Sequence, residues 1–312
     1  MAAYVVRRLW QMVPTLAGVI LLVFFLFNWV AGDPATILAG LVSDKEQIAN
    51  IRRQLGLDLS YPEQLWRFVQ QVLTFDFGAS WTTGESVSRI FATRLGPSLT
   101  VLVPLLVLET GFALLLALAV ARVRGTLSDR VVMIVCTAGM SISILVYIIV
   151  GQYWLAYKLG WFPVQGWSEQ GWRNLLVYAP LPVLLGFVVS LAPNVRLFRT
   201  FILDEIDQDY VRTARAKGLS ESRTLLVHVL RNAMVPVITF VISNLPGLLI
   251  GAFLIERFFS IPGIGREIIL AVERSDFPVI KAVTIYVAMA TMVFNLVGDL
   301  LYKLADPRVR IE

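Results

Sequence analysis

Few side chains in this sequence can do chemistry, and none is grouped to do it. Its 312 residues include one histidine, His228, and one cysteine, Cys136. A single thiol excludes an internal disulfide and any multi-cysteine metal site, and Cys136 lies in an apolar run. One imidazole excludes a site built from several. The carboxylates are scattered and form no nucleophile–base pair. Nowhere does the chain show Gly-x-x-x-x-Gly-Lys-Ser/Thr. The Phe258–Pro278 loop with Gly263 and Gly265 is therefore not read as a phosphate cradle, and the chain is not expected to hydrolyse ATP. No catalytic, metal-binding or cofactor-binding residue is expected. Two carboxylates stand out only by interrupting apolar runs. Glu109 reads either as lining a path for a polar solute or as a protonated or hydrogen-bonded packing residue, because a charge at that depth of a membrane costs a few kcal/mol. Asp299, four residues before Lys303, reads as a local snorkelling pair.

The elements that place these residues follow from composition. The chain is 57% hydrophobic and 16% charged, against about 25% charged in ordinary soluble domains. Its surplus apolar surface must face lipid. Six segments approach the roughly 20 apolar residues that a spanning helix needs. They are Leu9–Ala31, Pro97–Ala121, Val131–Tyr157, Leu175–Val195, Pro236–Ile255 and Ala282–Leu304. The fourth, with Pro180, Pro182 and Pro193, is expected to be kinked. The first follows Arg7 and Arg8 but outruns the h-region of a signal peptide, so it is read as a retained anchor. The chain is thus read as all-α, one polytopic membrane domain over residues 1–312 with about six transmembrane helices.

Loop charges set the expected orientation. Arg7, Arg8, Arg122, Arg124, Arg130, the basic residues between Arg196 and Arg231, Lys303, Arg308 and Arg310 fall on one side, and acidic residues there are fewer. That side is expected to be cytoplasmic and to hold both termini. The net charge of +5 is spread over these short loops, which speaks for membrane orientation and against nucleic acid. Residues 33–96 then form an outer loop with its own helices. Ser43 and Glu46 read as a capping box ahead of Ile48, Ile51 and Leu55, with Gly56 as the stop. A second helix is expected near Pro62, with Leu65, Phe68, Val69, Val72 and Leu73 on its apolar face. Trp161, Trp167 and Trp172 read as an interfacial belt.

The most patterned polar stretch is 196–235. Ile206, Tyr210, Val211 and Ala214 make a helical apolar stripe. Asp204, Glu205, Asp207 and Asp209 open it, and Arg212, Arg215 and Lys217 close it, as the helix dipole favours. Gly218 can terminate the turn, and a second helix is expected after Ser220. This is a helix–turn–helix with Ala214, Ala216 and Gly218 at its tip, small residues that let another surface approach closely. An amphipathic connector lying on the membrane fits the same pattern.

The run Asp209, Tyr210, Val211, Arg212, Thr213, Ala214, Arg215, Ala216, Lys217, Gly218, Leu219, followed by His228–Ala233 and Pro236-Val237, resembles the cytoplasmic loop of dipeptide/oligopeptide/nickel ABC importer permeases. Further matches are Gly32-Asp33-Pro34-Ala35, Leu55–Asp58, Gln64 with Trp66, Arg94-Leu95, Phe259–Gly265, Arg274–Pro278 and Asp306–Arg310. The resemblance covers nearly the whole chain, and the short N-terminus and large first outer loop are similar to the B type of permease. It departs from the general importer pattern Glu-Ala-Ala-x-x-x-Gly, which stands here as Arg212-Thr213-Ala214-x-x-x-Gly218. It departs also at Phe75–Gly78 and at Arg94–Pro97. The resemblance implies the ABC importer permease fold and a residence in a bacterial or archaeal inner membrane. It implies a C-type permease beside this chain, two cytoplasmic ATPases that bind ATP and magnesium, and an outer solute-binding protein. In that family the Asp209–Leu219 run couples the ATPase to the spans. An ion-coupled secondary transporter, working through Glu109, is the alternative reading.

Overall fold

The structure, a computed structural model, describes residues 2–30, 32–39 and 45–305. Helix α1 (Ala2–Phe25) widens into a π-turn to Val30. Short helices α2 (Pro34–Ala39), α3 (Lys45–Gln54) and α4 (Tyr61–Thr74) precede the long α5 (Val87–Arg122). Helices α6 (Leu127–Met140) and α7 (Ile144–Gly151) and a turn α8 (Gly171–Arg173) lead to α9 (Pro180–Ile206) and the short α10 (Asp209–Ala216). A turn α11 (Glu221–Arg223) passes through a π-turn into α12 (Leu230–Asn244). The chain ends with α13 (Gly247–Ile250), α14 (Phe253–Phe258), α15 (Ile264–Glu273) and α16 (Phe277–Ala305).

Five stretches are long and apolar enough to cross a membrane: Val6–Trp29, Val87–Arg122, Pro180–Ile206, Glu221–Asn244 and Phe277–Leu300. A sixth, expected as a continuous Val131–Tyr157 span, is instead two helices meeting at 89°. The break falls at Ser141–Ser143, where Ser143 leaves helical geometry and caps α7 by accepting from the Leu145 N–H at 3.3 Å. Two serines in an otherwise apolar run supply that punctuation. Helix α5, 36 residues long, extends to about 54 Å at 1.5 Å per residue, well beyond the ~30 Å hydrocarbon core.

Two other expectations change. In α9, Pro180 and Pro182 lie in the first turn, where the missing N–H groups are unbonded anyway, so they start the helix without kinking it. Only Pro193 is interior. The fifth span lies earlier than Pro236–Ile255 because its helix stops at Asn244, before the turn at Leu245-Pro246. On the first loop, α4 begins as expected: Ser60 and Glu63 form the capping box, with the Ser60 N–H and hydroxyl donating to the Glu63 carboxylate at 3.0 and 2.8 Å. Those two bonds hold the Glu63 carboxyl below its usual range. Phe68 and Val72 are buried, but Leu73 faces out at 66% exposure. The expected capping residue Ser43 lies outside the described residues, as do Asp306–Arg310.

Three apolar clusters hold the bundle. One joins α1, α4, the start of α5, α15 and α16 through Val23, Phe68, Val87 and Ile285. A second joins α5, α6, α9, α10 and the π-turn before α12. A third joins α5, α7, α9 and α14 around Val101, Ile148, Leu181 and Phe259. Asp276, buried at the α15–α16 turn, fastens the loop before α5. It accepts from the hydroxyls of Ser80 and Thr82 and from the Trp81 N–H at 3.1 Å.

The glycines of the α14–α15 segment serve a buried carboxylate. Glu256 is fully buried and accepts from Ser98 Oγ at 2.8 Å, Ala252 N–H at 3.1 Å and Arg266 N–H at 2.9 Å. Ser98 in turn accepts from the Ile264 N–H at 2.8 Å. Together the two side chains satisfy first-turn donors of α15, which also favour a negative charge by their dipole. Burial pushes the Glu256 carboxyl above its usual range, and the hydrogen bonds offset only part of that. A Cβ on Gly263 would stand 2.4 Å from Glu256 Oε2 and 2.5 Å from Ser98 Oγ, whereas one on Gly247 would meet nothing. Gly263→Ala is therefore expected to destabilise the purified protein by about 1–3 kcal/mol through overpacking. Gly247→Ala should leave its unfolding midpoint unchanged, and equal midpoints for the two variants would contradict this account of the loop.

Candidate functional site: the hairpin between α9 and α12

Helix α9 ends at Asp207, and Gln208 turns the chain into α10. The amphipathic spacing read from the sequence holds in part. Val211 and Ala214 are buried, at 0% and 5% exposure. Val211 packs in the cluster of Ala117, Phe198, Ile202, Leu225 and Val229 that joins α5, α9 and the π-turn before α12. Ala214 is thus not a tip residue, as expected from its size, but a packing residue. The outward surface is Arg212, Thr213, Arg215, Ala216, Lys217 and Gly218. Gly218 takes φ +79° with open space around it, which glycine accepts without penalty. Leu219 donates its N–H to the Ala214 carbonyl at 3.3 Å and closes the turn.

Polar contacts fix the hairpin to its neighbours. Arg215 forms a two-bond pair with Glu221 across the turn, at 3.0 and 2.7 Å. The Tyr210 hydroxyl donates to Glu205 at 2.5 Å. Burial first, and then that bond, push the Tyr210 phenol up to about 12, so the donor stays protonated at neutral pH. Arg124, in the α5–α6 turn, reaches Asp207 with two bonds of 3.0 Å. Beside it, Arg199 of α9 grips the buried Asp129 of α6 with bonds of 2.9 and 2.8 Å. Asp129 also accepts from the Gly125 N–H at 2.9 Å. The sequence reading missed Asp129, Arg199 and Arg124 as partners. Their separation of 70 to 83 positions hides the pairing, and only the placement of acid and base at span ends hints at it.

The hairpin is therefore an exposed basic knob on a buried root that α5, α6, α9 and α12 all share. Displacing the knob must displace helix ends, because packed interfaces switch between discrete arrangements more readily than they deform. Glu109 lies elsewhere, half-buried on α5 beside Ser190 of α9. Asp299 pairs with Arg8 of α1 at 2.8 Å. The side chain of Lys303, its expected partner, lies outside the described residues. Among the described residues no group of three or more His, Cys, Asp or Glu could hold a metal.

The comparisons with known proteins decide what this architecture is. A family model described as "Binding-protein-dependent transport system inner membrane component" matches residues 110–311, and its N-terminal companion matches residues 1–101. The chain belongs to that family. It is 35% identical to the glutathione transport system permease protein GsiC of Salmonella paratyphi A and 34% identical to that of Escherichia coli K12, over the full length of both chains in each case. It is 33% identical to the "Probable peptide ABC transporter permease protein y4tP" of Sinorhizobium fredii, covering 99% of this chain and 100% of that one.

As a binding-protein-dependent permease, the chain is a multi-pass subunit of an ABC importer and does not itself catalyse a reaction. Such an importer draws on a solute-binding protein and on ATPase subunits. The ion-coupled carrier is not favoured. The Asp129–Arg199 pair supplies a direct test of the hairpin's root. Arg199→Met leaves a buried carboxylate without its cation and should destabilise the protein by about 3–5 kcal/mol. Adding Asp129→Asn should recover most of that loss in thermal unfolding. A double variant no more stable than Arg199→Met would show that the pair does not hold α6 to α9.

Proposed function

We propose that the chain forms, with a C-type permease, the path of a peptide-like solute, and that the Asp209–Leu219 hairpin is where an ATPase grips it. The basic residues gather at the hairpin end of the bundle, which puts that end and both termini in the cytoplasm by the charge rule. Residues 33–96 then face outward, where a solute-binding protein delivers the cargo. Two ATPases supply the energy, and ATP and magnesium are bound by them. The relatives named for glutathione and peptide transport support a peptide-like cargo here.

One observation carries the reading of the hairpin. Beyond Asp209 its exposed residues are basic or small, while Val211 is packed among the ends of the spans and Ala214 is buried. A surface connector would need no such root. ATP-driven closure of the ATPases would push the knob, and the shared root would carry that displacement into α5, α9 and α12. The Val211 and Ala214 positions transmit force, and Thr213, Ala216 and Gly218 meet the partner.

Ala216→Arg and Gly218→Asp test this on the surface alone. Aspartate tolerates the left-handed backbone better than most side chains, and Ala216 is exposed. Both variants should insert normally, yet lower cargo moved per ATP hydrolysed by about tenfold or release the ATPase during purification. Transport and assembly equal to those of the unaltered complex would refute the assignment. Ala214→Arg should instead fail to fold, because Ala214 is buried.

A further inference from the structure

Among the described carboxylates in or against the apolar bundle, the fold treats Glu109 differently from Asp129, Asp299 and Glu256. Asp129 has Arg199, Asp299 has Arg8, and Glu256 has a hydroxyl and backbone N–H groups. Glu109, near the middle of the α5 span, has only the Ser190 hydroxyl beside it. That hydroxyl is a neutral donor, shared between Glu109 and the Gly186 carbonyl that lies 2.5 Å from it. No lysine or arginine pairs with Glu109 among the described residues. The carboxylate is half-buried on the α5–α9 seam, next to the exposed Phe112 that packs edge-on against Phe187.

A carboxylate without a cation beside it cannot face hydrocarbon cheaply at a helix centre. Its open side must meet water or protein. In a subunit whose task is to pass a polar solute, an intramembrane acid that lacks a resident cation is suited to a cation that arrives and leaves. A resident arginine, as at Asp129, would close the site permanently.

We propose that Glu109 receives the ammonium group of the cargo as it crosses the bundle. The inference rests on the peptide-like cargo proposed above. It adds that the pathway recognises a free amino terminus, with the aromatic pair Phe112–Phe187 beside the carboxylate offering apolar surface to the rest of the solute. No proton or bond is exchanged. The contact is a charge-assisted hydrogen bond, made and broken once per passage.

The test uses the complete importer in proteoliposomes. Uptake of a dipeptide, a tripeptide and glutathione is compared with uptake of their N-acetylated forms, in unaltered protein, Glu109→Gln and Glu109→Asp. Because the binding protein is the same throughout, its own preference cancels between variants. Glu109→Gln should lower uptake of the free-amine solutes about tenfold at saturating binding protein. It should leave N-acetylated uptake unchanged, and Glu109→Asp should recover part of the loss. Equal loss for both forms, or no loss for either, would overturn the proposal while leaving the peptide-cargo reading intact. An unaltered importer that moves none of these solutes would sink the cargo reading, and the proposal with it.

Discussion

The arrangement at the hairpin end depends on the burial of Val211 and Ala214. An eight-residue helix is not stable alone in water, because nucleation is costly and few bonds repay it. Helix α10 persists because Val211 packs in a cluster with Phe198, Ile202, Leu225 and Val229, and Ala214 is buried beside it on the same helix. Burying a valine fully is worth about 1.5–3 kcal/mol, enough to hold so short an element in place. The same contact makes the hairpin part of the span ends and not an appendage to them. A force applied to Ala216 or Gly218 has no soft joint to dissipate in before it reaches α9 and α12.

The polar contacts serve specificity more than energy. Arg124–Asp207 and Arg215–Glu221 are largely exposed, and such pairs contribute only about 0–1 kcal/mol. They select one turn geometry from those the apolar root allows. Asp129–Arg199 is different, because Asp129 is buried and breaking the pair would strand a charge. At the opposite end Glu256 plays a comparable part. The Gly263 and Gly265 segment does cradle an anion, but the anion is the chain's own carboxylate, and it pins α15 to Ser98 of α5.

Much of this was legible in the sequence, for identifiable reasons. Long apolar runs gave the spans, since a 20-residue hydrophobic stretch has few other uses. Pro62, Gly218 and the acid-to-base gradient of 204–217 gave local structure through backbone preference and dipoles. The break in the third span was hidden because Ser141 and Ser143 barely dent its hydropathy. Pro180 and Pro182 misled because a proline's effect depends on whether it starts a helix or interrupts one. Ala214 was placed on the surface because small size suits both a tip and a tight core. Arg199, Asp129, Glu256 and Ser98 stayed invisible as partners because their pairings bridge 70 to 158 positions.

The rigidity of the hairpin on its root is open to direct measurement. Spin labels at Ala216 and at Leu127, both exposed, report the distance from the knob to the start of α6. The measurement is made in the assembled importer, with and without trapped ATP. If the hairpin moves as one body with the span ends, the distance distribution should be the same in both states. A shift of several ångströms, with the hairpin swinging while α6 and α9 stay in place, would contradict the account.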